Sequence, residues 1–206
     1  MKPVLIFDID GTLLDTLRLN MVTLLELVHE LGFKNEDGHS ILRYASHPGM
    51  QVMYEFGLDN PEEAYARWVQ KVRAFPDQAQ PYPGVVEMIK SLHASGYRLA
   101  IVSSKRRQQY EIEFIRLALI DYFEVAVLAD DCDKQKPDPA PLLQCCELLG
   151  VDVKDVIYLG DSIMDRLAAE ACGMPFIACV WKGFVEAGLE ESKQIDSPQA
   201  ILEVFK

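Results

Sequence analysis

No apolar run in these 206 residues approaches the ~18 residues of a membrane helix. Lys2 is followed by only a few apolar residues before Asp8, too few for a secretory signal segment. Positive charge is scarce: 20 Lys and Arg stand against 32 Asp and Glu, a net charge of −12. That argues against nonspecific binding to nucleic acid or to an anionic membrane. A small anionic substrate stays open, because a metal and a few local cations can reverse the field in one cleft. The four histidines, His29, His39, His47 and His93, form no close cluster, so a zinc site is not expected. The five cysteines, Cys132, Cys145, Cys146, Cys172 and Cys179, are odd in number and lack the C-x-x-C spacing. A reduced, cytoplasmic protein with most thiols serving as small core residues is the simplest account. There is no G-x-G-x-x-G fingerprint and no P-loop, so a dinucleotide-binding protein is not supported. Internal repeats and low-complexity tracts are absent as well.

What is present reads as an ordinary globular chain, with 50% apolar and 25% charged residues, long enough for one domain or a core domain with an insertion. Apolar runs at Val4–Phe7, Leu99–Val102, Val125–Leu128, Val156–Leu159 and Phe176–Val180 suit parallel strands buried on both faces. Helical spacing groups Val85, Met88, Ile89 and Leu92, then Tyr110, Phe114 and Leu117, then Pro141, Leu142, Leu143, Cys146 and Leu149 with Gly150 as the stop. A further helix runs from Ser162 to Ala171 and stops near Gly173 and Pro175. From residue 98 onward strand and helix alternate, which predicts an α/β fold: a doubly wound parallel sheet with helices on both faces. Between Asp15 and about Tyr82 no strand is expected. Leu17 to Leu31 reads as an amphipathic helix ending at Gly32, and shorter helices are expected around Ile41 and Met50. Asn60-Pro61-Glu62-Glu63 reads as a capped helix start leading through Trp68 and Val72 to Phe75. The expected organisation is therefore a core of residues 1–15 and 82–206 with an all-helical insertion over 16–81.

The most informative stretch is Asp8-Ile9-Asp10-Gly11-Thr12, directly after the first apolar run. In an extended backbone alternate residues point the same way, so both acids can project from one strand end. Two neighbouring carboxylates stay ionised only with something positive between them. A divalent cation bound through oxygen is the usual answer, and Mg²⁺ typically takes only one or two carboxylates plus waters and substrate phosphate. An acidic loop is the bland alternative. Ligands of open α/β sheets bind at the carboxyl ends of the strands. The second run ends in Ser103, Ser104 and Lys105, the third leads to Lys134-Gln135-Lys136-Pro137, and the fourth ends in Gly160, Asp161 and Ser162, with Asp165 three residues on. Taken singly, Ser103 reads first as a helix cap and Lys136 first as a solvated loop lysine. Asp165 has the capping-box spacing from Ser162. Asp161 is harder to explain as structural, since an unpaired charge after a buried strand is unfavourable. Taken together, each strand end carries a group expected around a phosphoryl moiety.

These motifs resemble those of the haloacid dehalogenase superfamily, in its large phosphatase branch, over nearly the whole chain. Asp8-Ile9-Asp10-Gly11-Thr12 matches the first motif, Ser103 the second, Lys136 the third, and Gly160-Asp161-Ser162-Ile163-Met164-Asp165 the fourth. The insertion is similar to a C1-type helical cap. Tyr82-Pro83-Gly84-Val85 and Lys136-Pro137-Asp138-Pro139-Ala140-Pro141-Leu142-Leu143 are similar to the phosphoglycolate phosphatase and pyrophosphatase group. The resemblance implies that Asp8 attacks phosphorus and forms an aspartyl-phosphate. It implies that Asp10 protonates the leaving oxygen and then activates water, its main-chain carbonyl facing Mg²⁺. Asp8 and Asp161 would ligate Mg²⁺ through side chains, with Asp165 bound directly or one layer out. Ser103, Ser104 and Lys136 would hold the phosphoryl group, and the cap would close over it.

Other readings are separable. A hydrolytic dehalogenase of the same fold lacks the second acid of the first motif, so Asp10 and Asp161 favour phosphate chemistry. A β-phosphoglucomutase-like enzyme shares all four motifs and differs in its cap. A receiver-type signalling module needs neither the long insertion nor Asp10. The expected partner is a small phosphorylated metabolite, with phosphoglycolate, pyrophosphate, a nucleotide monophosphate and a sugar phosphate all open. Arg43, His47, Arg67, Lys71 and Arg73 are the insertion's candidates for a second anionic group, each reading first as part of a solvated helix face.

Overall fold

A computed structural model of the chain describes residues 2–45, 47, 49–75, 79–181 and 185–205. In chain order the regular elements are β1 (Val4–Phe7), β2 (Leu14–Asp15), α1 (Leu17–Glu30), α2 (Gly49–Glu55), α3 (Pro61–Ala74), β3 (Gln80–Pro81), α4 (Val85–Ala94) and β4 (Leu99–Val102). They continue with α5 (Arg107–Arg116), β5 (Val125–Val127), α6 (Ala140–Leu149), β6 (Val156–Gly160), α7 (Ile163–Cys172), β7 (Phe176–Cys179), β8 (Gln194–Ile195) and α8 (Pro198–Val204). The chain divides into two compact units, one of Met1–Asp15 with Pro81–Lys206 and one of Thr16–Gln80.

The first unit is the expected α/β fold. Six strands form a parallel sheet in the order β5-β4-β1-β6-β7-β8. Strands β1 and β4 are buried along their whole length, which is why they read as continuous apolar runs. Ile6, Ala100, Val102 and Tyr158 pack with Leu142, Cys145 and Cys146 of α6 and Ala168 and Ala169 of α7. Leu5, Phe7, Leu99 and Ile101, at the alternate positions, are also buried. The order runs outward in both directions from β1, the kind of switch point at which ligands bind. Gly150 and Gly173 end α6 and α7 in the left-handed conformation.

Some local expectations need correcting. On α6, Leu143 is exposed and Cys145 takes the core position. The buried set Pro141, Leu142, Cys145, Cys146 and Leu149 keeps strict helical spacing. Strand β5 ends at Val127 and β7 at Cys179, one residue short of their apolar runs. Asn60 sits at the N-cap of α3 but its side chain does not cap the helix; its amide donates to Glu63 Oε2 instead, at 2.9 Å.

The second unit is helical up to Gln80, which opens the two-residue strand β3 inside the interval where no strand is expected; two residues carry no period to read. Leu24, Leu27 and Val28 of α1, Val52 and Met53 of α2, and Ala64 and Trp68 of α3 share a core with Ile41 and Tyr44 of a 3₁₀ turn, Ser40–Tyr44. One polar link is buried in it: Trp68 Nε1–H donates to Thr23 Oγ1 at 3.0 Å, and that hydroxyl donates to the Leu19 carbonyl at 2.7 Å. All five cysteines are free thiols. Among the described residues no helix is long and apolar enough to cross a membrane.

Each unit holds one of the two tryptophans, Trp68 and Trp181. Thr23→Val leaves the Trp68 N–H buried without its acceptor and should cost about 1–3 kcal/mol. Urea unfolding followed by Trp68 fluorescence in a Trp181→Phe background measures it.

Candidate active site

Parallel register sets the site's floor. Phe7 pairs with Ile101 on one side and Leu159 on the other. Asp8, Ser103 and Asp161 therefore leave three adjacent strands at the same edge of the sheet. The Asp8 amide donates to the Leu159 carbonyl at 2.9 Å, and the Ser103 amide to the Val127 carbonyl at 3.1 Å. Beyond Asp8 the chain turns tightly, with the amides of Thr12, Leu13 and Leu14 all directed at the Ile9 carbonyl.

Two of the motif glycines are required by the carboxylates beside them. Gly11 has φ +84°, and a Cβ there would lie 2.1 Å from Asp161 Oδ2. A Cβ on Gly160 would lie 2.5 Å from Asp165 Cγ. Thr12 Oγ1 donates to Asp161 Oδ1 at 3.0 Å, and Trp181 Nε1–H holds the Thr12 carbonyl at 3.0 Å. The turn after β1 thus positions Asp161 as well as its own acids.

Lys136 is buried and is not a solvated loop residue. Its Nζ lies 2.9 Å from Asp8 Oδ1, 2.6 Å from Asp165 Oδ1 and 2.9 Å from the Tyr158 hydroxyl. Burial alone would lower its pKa, but Asp165 and Asp8 outweigh that and keep it charged. Asp165 is fully buried and closes the capping box of α7. Its Oδ2 accepts from the Ser162 amide at 3.0 Å and the Ser162 hydroxyl at 2.6 Å. Its Oδ1 accepts from Lys136 and from Tyr158 at 2.7 Å. Burial pushes its pKa up, yet Lys136, Ser162 and Tyr158 together hold it below the usual carboxylate range. The capping role and the site role coincide in one side chain.

Oxygens of Asp8, Asp161 and Asp165 lie within 4.8 Å of one another. Two of these carboxylates, Asp8 and Asp165, share the Lys136 ammonium, and the donors are all hard oxygens, a set suited to an oxygen-seeking divalent cation. Burial, reinforced by Asp165, Asp161 and Asp10 and opposed by Lys136, pushes the Asp8 carboxyl up to about 7. A cation at the cluster would favour the ionised form.

Asp10 is not among the three. Its Oδ1 lies 3.1 Å from Lys105 Nζ, which also lies 2.8 Å from Glu113 Oε2. Ser103 is buried, Ser104 half-buried. Ser103 does not cap α5, whose N-cap is Arg106; its Oγ accepts from the Lys105 amide at 3.3 Å. Sequence reasoning left Lys105, Glu113, Thr12, Tyr158 and Trp181 without roles. Lys105, two positions past Ser103 at a strand end, carried a readable signal; Glu113 and Tyr158 did not.

In the helical unit four of the five basic candidates, Arg43, His47, Arg67 and Lys71, lie against acids of that unit. Arg43 pairs with Glu36, Arg67 and Lys71 with Glu30, and His47 lies 3.9 Å from Glu55 Oε1.

The chain belongs to the haloacid dehalogenase-like hydrolases, whose sequence profile matches residues 5–179. A phosphoglycolate phosphatase of Nitrosospira multiformis is 33% identical over 193 residues, covering 87% of this chain and 83% of its own. A pyrophosphatase of Halalkalibacterium halodurans is 30% identical over 171 residues, covering 82% of this chain and 79% of its own. The solved structure of a Lactobacillus plantarum protein aligns at 29% identity with a TM-score of 0.87, covering 100% of both chains.

An acid whose folded pKa is raised makes the fold less stable as pH climbs from its unfolded value, 3.8, to about 7. In chelator, Asp8→Asn should therefore melt a few degrees above the parent at about pH 8 and show no such gain at about pH 4; thermal unfolding at both values checks it. Gly11→Ala should lower the melting temperature and weaken divalent-cation binding together, since its Cβ displaces Asp161; calorimetric metal titration reads the second effect.

Proposed function

We propose that this hydrolase is a Mg²⁺-dependent phosphatase acting on a small phosphomonoester through an aspartyl-phosphate. The observation that carries the reading is the Asp8 carboxylate, held by Lys136 at 2.9 Å beside the carboxylates of Asp161 and Asp165. The phosphoglycolate phosphatase and pyrophosphatase relatives point to the same chemistry.

Asp8 Oδ attacks phosphorus, the bond from phosphorus to the ester oxygen breaks, and Asp10 gives that oxygen a proton. Asp10 then takes a proton from water as the water attacks the acyl phosphate, releasing phosphate and restoring Asp8. Ser103 and Lys136 hold phosphoryl oxygens, with Ser104 beside them, and Lys136 limits the repulsion between a carboxylate and a dianion. Asp8 and Asp161 would hold the Mg²⁺ through side chains and Asp10 through its carbonyl; when bound, it neutralises charge developing on the phosphoryl group. Asp165, with both oxygens already accepting two hydrogen bonds, is assigned to orienting Lys136 rather than to binding metal directly. In this reading the helical unit inserted after Asp15 serves as the cap that selects the leaving group. The free cysteines support a reducing compartment, the cytoplasm.

Phosphate release from a panel of phosphomonoesters, phosphoglycolate included, plus pyrophosphate, with Mg²⁺ and with chelator, tests the proposal. Mg²⁺-dependent release is expected, with Asp8→Asn folded and inactive and Asp161→Asn needing more Mg²⁺. Preference for pyrophosphate would move the assignment to a pyrophosphatase. Transfer of phosphoryl between positions of a sugar phosphate without release would make it a mutase. Substantial activity in folded Asp8→Asn would overturn the nucleophile.

A further inference from the structure

We infer that Lys105, held from behind by Glu113, is a positioning residue that fixes the carboxylate of Asp10 for proton transfer while orienting Ser103. The inference rests on the reading of Asp10 as the proton donor and acceptor.

The two acids of the first motif are served by separate buried lysines. Asp8 meets Lys136, and behind Lys136 stands Asp165. Asp10 meets Lys105, and behind Lys105 stands Glu113. The Lys105 side chain is 6% exposed and that of Glu113 13%. A buried carboxylate on α5 is unfavourable without its cation, and an apolar pair of similar size would pack there at no such penalty. The Lys105 ammonium is flanked by two carboxylates at 3.1 and 2.8 Å, which leaves it poorly placed to bind a phosphoryl oxygen as well. What it does reach is Asp10 Oδ1, a buried atom on a side chain that is otherwise 34% exposed. With Oδ1 against the lysine, Oδ2 is left to exchange the proton. Glu113 prevents Lys105 from following Asp10 outward.

The main chain of Lys105 acts on the second motif. Its amide donates to Ser103 Oγ at 3.3 Å, so the serine's own proton is free to point elsewhere. Its carbonyl accepts from the Ala129 amide at 3.0 Å, tying the loop after β4 to the loop after β5. One residue therefore couples the orientation of a phosphoryl-binding hydroxyl to that of the acid.

A leaving-group test separates positioning of Asp10 from general structural damage. An alkyl phosphate needs its leaving oxygen protonated; p-nitrophenyl phosphate does not, but its aspartyl-phosphate still needs Asp10 to activate water. In the full-length protein, Lys105→Met should lower kcat for an alkyl phosphate about 100-fold with KM changed little. With p-nitrophenyl phosphate it should release one equivalent of p-nitrophenolate at nearly the parent rate, then turn over slowly. Glu113→Gln, which keeps the shape, should show the same pattern at several-fold, so the test survives if Lys105→Met does not fold. Lys105→Arg, retaining the charge, should recover much of the loss. Equal slowing of burst and turnover, or a raised KM with kcat intact, would overturn the inference. Asp10→Asn is the control. If it too lacks the burst pattern, the reading of Asp10 has failed; if it shows the pattern and the Lys105 and Glu113 variants do not, only the role of Lys105 has.

Discussion

A single buried ammonium organises the site. Lys136 lies among Asp8, Asp165 and Tyr158 with almost no contact with water, and removing the ammonium would leave two carboxylates uncompensated in a poorly solvated place. Much of the surrounding structure serves that arrangement. The Tyr158 hydroxyl, whose side chain grows from the middle of β6, takes a hydrogen bond from Lys136 and gives one to Asp165. Gly160 leaves room for Asp165 to lie against the strand, and the first turn of α7 fixes that carboxylate through Ser162. The strand end, the helix start and the loop before α6 are thereby locked to one point.

Charge partition gives two acids separated by one residue different surroundings. Asp8 is buried among carboxylates and pulled by Lys136, whereas Asp10 is partly exposed and sits against Lys105. Each has its own cation, and each cation has its own anchoring acid. Asp8 lies in a crowded anionic site where a divalent cation is favoured, and the Asp10 carboxylate lies outside that three-carboxylate cluster. In the proposed mechanism it is environment, more than residue type, that separates the two acids.

The sheet was legible because its central strands are buried on both faces and so appear as uninterrupted apolar runs. The pair Gln194–Ile195 was not, since a two-residue strand has no period to detect. On α6 a run of apolar residues hides the helical phase: Cys145 is buried and Leu143 exposed, although leucine is the more hydrophobic. Asp8, Asp10, Ser103, Lys136 and Asp161 stood out because polar groups at the ends of apolar runs are a local signal. Tyr158 reads as one more core residue, its hydroxyl's destination being invisible in one dimension. Glu113 reads as an ordinary acid on an exposed helix until the fold brings it to Lys105. Likewise Arg43, Arg67 and Lys71 read as open cations because their acids, Glu36 and Glu30, are identified only once the chain has turned back on itself.

The close of the β1 turn has a consequence for how such chains diversify. Leu13 accepts a hydrogen bond from the Tyr82 amide at 3.1 Å, so the sheet-bearing unit seals itself across the point where 65 residues, Thr16–Gln80, leave and return. In polymer terms the whole helical unit is one loop whose ends are already pinned. Doubling the length of such a loop adds only about 0.6 kcal/mol of closure entropy. The catalytic platform is thus thermodynamically almost indifferent to what is threaded through that gate, and a different insert could be carried there without re-solving the fold beneath it.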